Sequence, residues 1–94
     1  MKLPSQLGFV EGVKVVFLKD ATPYYSGYAG NPQVIVKSGT IGVVGATDVP
    51  SVKRENIYFV CVDVKIPGVY QGNPENRYDL WRCGVDPKEI KVMK

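Results

Sequence analysis

Residues 57–64 read Ile57-Tyr58-Phe59-Val60-Cys61-Val62-Asp63-Val64, a run dominated by β-branched and aromatic side chains. Alternation along it puts Val60, Val62 and Val64 on one face and Phe59, Cys61 and Asp63 on the other, the signature of a strand with one side against a core. Asp63 places the solvent side with Cys61. Outward from this run the chain repeats the same grammar. Upstream lie Val13–Leu18, a short extended piece Gln33–Lys37 after a loop Asp20–Pro32, and Thr40–Ala46, whose internal Gly42 and Gly45 mark strong bending or a close neighbouring backbone. A polar connection, Asp48–Glu55, leads into the central run. Downstream come a loop Lys65–Asn76, a strand Tyr78–Cys83, a tight 3₁₀-like turn Val85–Glu89 and a last strand Ile90–Met93. Ten glycines and seven prolines punctuate these runs, and no stretch keeps a 3.6-residue apolar period over three turns, so the chain is read as all-β without a long helix.

With 94 residues the chain has room for one core, so residues 1–94 are read as a single domain with an N-terminal extension, 1–11. A deep enclosed substrate cavity does not fit this size. The net charge of +3, from 12 Lys and Arg against 9 Asp and Glu, is mild and without a single-sign block. Histidine is absent, which removes the commonest general base and metal ligand. No run reaches the roughly 18–20 apolar residues that span a bilayer, and Pro4, Gln6, Gly8 and Glu11 interrupt any signal-peptide core. The expected location is cytoplasmic. There Cys61 and Cys83, 22 residues apart and without a Cys-x-x-Cys companion, are read as two reduced thiols, the alternative being a disulfide between them. They supply two of a zinc site's four usual ligands, and no metal or cofactor is expected.

The order Gly12-Val13-Lys14-Val15, Gly39-Thr40-Ile41-Gly42-Val43-Val44, Tyr58-Phe59-Val60-Cys61-Val62-Asp63 and Val85-Asp86-Pro87-Lys88-Glu89-Ile90-Lys91-Val92 resembles the SH3-like small-barrel superfamily. The resemblance runs from about Gly12 to Met93 and rests on glycines and aliphatic residues. It implies a barrel of five to six strands with two long loops and a short 3₁₀ turn before the last strand. It chooses no partner, since such barrels bind RNA, peptides, ribosomes or redox complexes. Two segments exceed the minimal pattern, Gln33–Lys37 and Ile66–Tyr78, and function is expected there.

Those segments share a motif. Tyr28-Ala29-Gly30-Asn31-Pro32-Gln33 and Tyr70-Gln71-Gly72-Asn73-Pro74-Glu75 both read Tyr-x-Gly-Asn-Pro-[Gln/Glu]. Little else aligns at that 42-residue shift, and turn chemistry explains the motif more simply than paired recognition: Gly for positive φ, Asn-Pro for an extended entry, Tyr across the turn base. Around the same loops gather Tyr24, Tyr25, Tyr28, Tyr70, Tyr78 and Trp81, residue types rich in binding hot spots.

The expected function is non-enzymatic: a module that binds a protein partner through Tyr24, Tyr25, Tyr28, Asn31, Tyr70, Asn73, Arg77, Tyr78, Trp81 and Arg82, in the manner of a small phage or microbial accessory or inhibitor protein. Arg54, with Arg77 and Arg82, would orient the partner from the rim. A polyproline ligand with a basic flank is disfavoured, because the first loop offers only Asp20. The alternative is a nucleic-acid barrel using Lys53, Arg54, Arg77, Arg82, Lys88, Lys91 and Lys94 with aromatic stacking, against which stand the interleaved carboxylates Glu55, Glu75, Asp79, Asp86 and Glu89. Cys83, beside Trp81 and Arg82, is the best lone nucleophile, with no base to activate it. The chain is expected to be monomeric or a weak homodimer paired at an edge strand, Val34–Lys37.

Overall fold

A computed structural model describes residues 2–93. The chain is all-β. Five antiparallel strands form one sheet: β1 Lys14–Phe17, β2 Ile41–Pro50, β3 Tyr58–Lys65, β4 Leu80–Val85 and β5 Ile90–Val92, in the spatial order β4-β3-β2-β1-β5. Two long loops, after β1 and after β3, and a 3₁₀ turn Pro87–Glu89 before β5 complete the plan. Asp86 caps that turn, its side chain accepting the Lys88 amide at 2.9 Å.

Alternation decides which face is inside. Val15 and Phe17 of β1, Val60, Val62 and Val64 of β3, Cys83 and Val85 of β4 and Ile90 of β5 share one core, so both outer strands of the sheet meet the same apolar interior. The long β2 makes this curvature possible. Its pairing with β3 slips between Val44 and Ala46 and again between Ala46 and Val49, where Asp48 adopts φ 55°; such bulges bend a strand and increase its twist. β2 therefore continues through Asp48–Pro50, which reads in sequence as polar connection. Gly42 serves close packing: a Cβ there would lie 2.5 Å from a Val62 methyl.

The N-terminal segment packs on the sheet: Pro4–Leu7 forms a 3₁₀ turn with Pro4 at its start, the Ser5 amide donates to the Asp48 carboxylate at 2.9 Å, and Phe9 is buried in the core. Two sequence expectations are corrected. Gln33–Lys37 is not an edge strand. It makes one bridge, Val36 to Ala21, with Val34 and Val36 buried and Ile35 exposed between them, and it is not a strand of the sheet. Cys61 does not share solvent with Asp63, since it is 6% exposed beneath the first long loop. Cys61 and Cys83 are both free thiols. Cys83 faces Val62 in the ladder and Cys61 faces Gly84, so the two side chains leave the sheet on opposite faces and a disulfide between them is not available.

Candidate functional site

The outer face of β3 and β4 is where the long loops converge. Arg82 and Asp63 are directly opposed in the ladder, and the guanidinium forks onto the carboxylate with Nε–Oδ1 at 2.7 Å and Nη2–Oδ2 at 3.1 Å. That hydrogen-bonded pairing raises the Arg82 pKa further above its already high value, and its chief consequence is a fixed rotamer. Gly45 keeps the space open, because a Cβ there would collide with both the Asp63 carboxylate and the Arg82 guanidinium.

Tyr24 crosses this face. Its amide donates to the Arg82 carbonyl at 2.8 Å, and its phenol lies over Gly84, where a side chain would collide with the phenolic oxygen. Burial raises the Tyr24 pKa, and the neighbouring Cys61 and Cys83 act in the same direction against Arg82. On one side of the Tyr24 ring is a cleft of about 380 Å³ lined by Tyr24, Tyr25, Tyr78 and Leu80 with Asp63, Arg82 and the buried Gln71. On the other is a cleft of about 330 Å³ bounded by Val52, Lys53, Phe59 and Gly84. Both volumes fall in the range of small ligand clefts or side-chain pockets. Tyr25 is held at φ 62°, a left-handed conformation that costs a β-carbon-bearing residue on the order of 1 kcal/mol and recurs at functional sites. Asn31 sustains it by donating from Nδ2 to the Tyr25 carbonyl at 3.1 Å. Tyr25 also meets Tyr28 with ring centroids 6.0 Å apart.

The two Tyr-x-Gly-Asn-Pro motifs, read as independent turns, are in contact. The Gly72 amide donates to Asn31 Oδ1, and Asn73 Oδ1 lies 3.6 Å from where a Gly30 Cβ would project. Gly30 and Gly72 adopt nearly the same φ, 86° and 88°. Between them opens a third cleft, about 540 Å³, with Gly30 and Pro32 from one motif, Tyr70, Gly72 and Pro74 from the other, and Arg77 at its edge.

The expected site residues therefore separate. Tyr24, Tyr25, Tyr78 and Arg82 line the first cleft; Tyr70 and Arg77 line the third; Asn31 is spent on holding the loops together, and Asn73 sits exposed beside it. Tyr28 is 67% exposed, beside Tyr25. Trp81 does not belong to the surface: it is fully buried and its indole donates to the Val69 carbonyl at 3.1 Å. Asp63, Gln71 and Leu80 were missed. Asp63 carried a signal, a carboxylate in an apolar strand, whereas Gln71 is positioned by a fold-level contact, donating to the Leu80 carbonyl, that no spacing foretells. The cations considered for nucleic acid are dispersed. Arg82 in β4 is paired with Asp63 in β3, Arg77 lies in the loop before β4, Lys53 and Arg54 lie between β2 and β3, and Lys88 and Lys91 lie beside and in β5, at the far end of the strand order; Lys94 is outside the described residues.

Among the described residues no three His, Cys, Asp or Glu side chains cluster to hold a metal ion, and no helix is long and apolar enough to cross a membrane. No protein-family model matches the chain, and no solved structure does. The chain is similar to an acetylglutamate kinase of Acaryochloris marina (strain MBIC 11017), with 30% identity over 81 residues. That stretch is 86% of this chain but spans only 28% of the kinase's length.

Proposed function

We propose that this chain is a non-enzymatic interaction module of the SH3-like small-barrel type that binds a partner protein through its tyrosine-rich loops. The observation that carries this reading is the convergence of both long loops on the outer face of β3 and β4, where Tyr24, Tyr25 and Tyr78 surround a fixed Arg82–Asp63 pair. Tyrosines offer large contact area at small entropic cost, and a pre-set backbone lowers the ordering cost of binding. The barrel type is supported by the strand order β4-β3-β2-β1-β5, the long loop after β1 and the 3₁₀ turn before β5. The non-enzymatic part is supported by Cys83, the lone candidate nucleophile: it is buried, and desolvation pushes its thiol up to about 12, away from the reactive thiolate. The partial likeness to a kinase fits a segment used alongside catalysis, and no phosphoryl transfer is assigned to this chain. A cytoplasmic accessory or inhibitor protein of a phage or microbe is the setting that suits such a module.

The test is retention of a partner from host lysate, with and without nuclease, by the native chain and by the Tyr25→Ala/Tyr28→Ala double variant. The expected result is a nuclease-resistant protein band that weakens at least about tenfold in the variant, with the unfolding midpoint unchanged. Material lost entirely on nuclease treatment, with retention falling steeply in salt, would transfer the function to nucleic acid and the mutational interest to Lys53, Arg54 and Arg77.

A further inference from the structure

An antiparallel sheet with one solvated face alternates apolar inside with polar outside, and β1 and β2 depart from that rule. Val15 and Phe17 point into the core, yet Val16 between them is apolar as well. Ile41 and Val43 of β2 share its outer side and are 52% and 39% exposed. The register gathers these side chains. Val16 stands between Ile41 of β2 and Lys91 of β5, and Lys14 stands between Val43 of β2 and Met93 of β5. Neighbouring strands are about 4.8 Å apart, so Val16, Ile41, Val43 and Met93 form one connected apolar patch with lysines set into it. A shallow groove of about 360 Å³ is formed there by Val16, Met93, Lys91 and Val92.

The charge on this face has one sign. The strands carry the exposed cations Lys14, Lys65, Arg82 and Lys91 against two carboxylates, and both of those are engaged, Asp63 by Arg82 and Asp48 by Ser5. Glu11 precedes β1 and Glu89 precedes β5, and neither pairs with these lysines: among the described residues the ion pairs are Lys37 with Asp20 and Arg82 with Asp63. Lys14, Lys65 and Lys91 are therefore left without an anion. Lys65 closes the patch on its far side. Val43 is opposite Asp63, and carrying that register two residues further sets Ile41 beside Lys65. Across the sheet the order is then Lys91, Val16, Ile41 and Lys65, with the two lysines three strand spacings, or about 14 Å, apart.

We propose that the outer face of β5, β1 and β2 is a docking surface for an acidic amphipathic helix of another protein. A helix with its side chains is about 10–12 Å across, which fits between Lys91 and Lys65 with its apolar stripe on Val16, Ile41 and Val43. Carboxylates on its two flanks meet Lys91 and Lys65, and Lys14, beside Val43, takes a third. An apolar side chain of the helix fills the groove between Val16 and Met93. Charge selects this occupant. A second copy laid face to face would set lysine against lysine with no spare carboxylate on either side. A lipid surface that buried Val16 would carry Lys14 and Lys91 inward with it, at a cost in desolvation. A single-stranded nucleic acid would find no aromatic ring on these three strands to stack on. The tyrosine platform lies over β3 and β4, at the other end of the strand order, so this surface does not rest on it.

The test is a methyl NMR titration of the full chain. The probe is an acetylated and amidated peptide of tandem Glu-Leu-Ala-Glu-Leu-Leu-Glu repeats, whose leucines recur at helical spacing. A scrambled peptide of the same composition, a single-stranded oligonucleotide and phosphatidylserine vesicles are run beside it. The expected result is that the methyls of Val16, Ile41, Val43 and Met93 shift with the amphipathic peptide. Its affinity should fall with added salt and drop at least about tenfold in Lys65→Glu/Lys91→Glu, and stay unchanged in Tyr25→Ala/Tyr28→Ala. Both lysines are exposed, so the charge variant keeps the native amide fingerprint, which is checked in the same spectra. Four results would overturn the proposal: no shift at those methyls, equal binding of the scrambled peptide, shifts confined to the tyrosine cleft, or tighter binding of the oligonucleotide or the vesicles than of the peptide.

Discussion

At the residue scale, Trp81 and the tyrosines are chemically similar and structurally opposite. Trp81→Ala empties a fully buried site and removes the donor to Val69, so unfolding free energy is expected to fall by about 3–5 kcal/mol, read by denaturant titration. By contrast, Tyr25→Ala and Tyr28→Ala truncate rings that are each 67% exposed and should move stability by less than about 1 kcal/mol. Asp48 gives a pH signature. Hydrogen bonds from the Ser5 hydroxyl and amide hold its carboxyl below the usual carboxylate value. The folded pKa is thus the lower one, and the stabilisation is present above the unfolded value, about 3.9, and is lost as pH falls through the folded value. Acidification should release the N-terminal turn, seen as faster exchange at the Ser5 amide, and Asp48→Asn should remove the pH dependence. Cys83 has the opposite sign. Its folded pKa, pushed to about 12 by burial, lies above the unfolded one, so its contribution is present at neutral pH and is lost as pH rises from about 8.5 toward 12. Native Cys83 should resist iodoacetamide at pH 8 and react once the chain is unfolded.

At the level of elements, legibility followed the kind of contact involved. β1, β3 and β5 were readable within a residue or two, because period-two alternation is a local property and each strand has one face on the core. The sequence places the end of β2 at Ala46, since a bulged strand with Asp48 at positive φ looks like a turn until its partner is known. The meeting of the two repeated motifs was invisible for the same reason: the sequence shows that Gly30 and Gly72 need a left-handed backbone, and only the fold shows Asn31 reaching the Gly72 amide. The sequence neighbours of Trp81 point to the surface, whereas its parity with Cys83 and Val85 in β4 places it inside. The motif contact has a measurable weight. Asn31→Ala removes an acceptor from Gly72 and a donor to Tyr25, and should cost about 1–2 kcal/mol while accelerating exchange at the Gly72 amide in the loop 41 residues away. Gly72→Ala should cost more, because the new Cβ would lie 2.8 Å from the Asn76 carbonyl oxygen at a φ of 88°.

For the whole molecule, one bent sheet is closed around its core by loops, and the tyrosine face on its outer side is built by segments distant in sequence: the first long loop, β3, the second long loop and β4. Tyr24 belongs to both the architecture and the candidate site: its amide covers the flank of β4 while its ring forms the ridge between two clefts. Anything that draws Tyr24 away, whether a tightly gripping ligand, a proteolytic nick within residues 20–32 or a proline at position 24, frees the Arg82 carbonyl and widens the unpaired rim of β4. An uncovered strand edge is a template for pairing with a like edge, so loosening Tyr24 should raise the tendency to self-associate, read by light scattering.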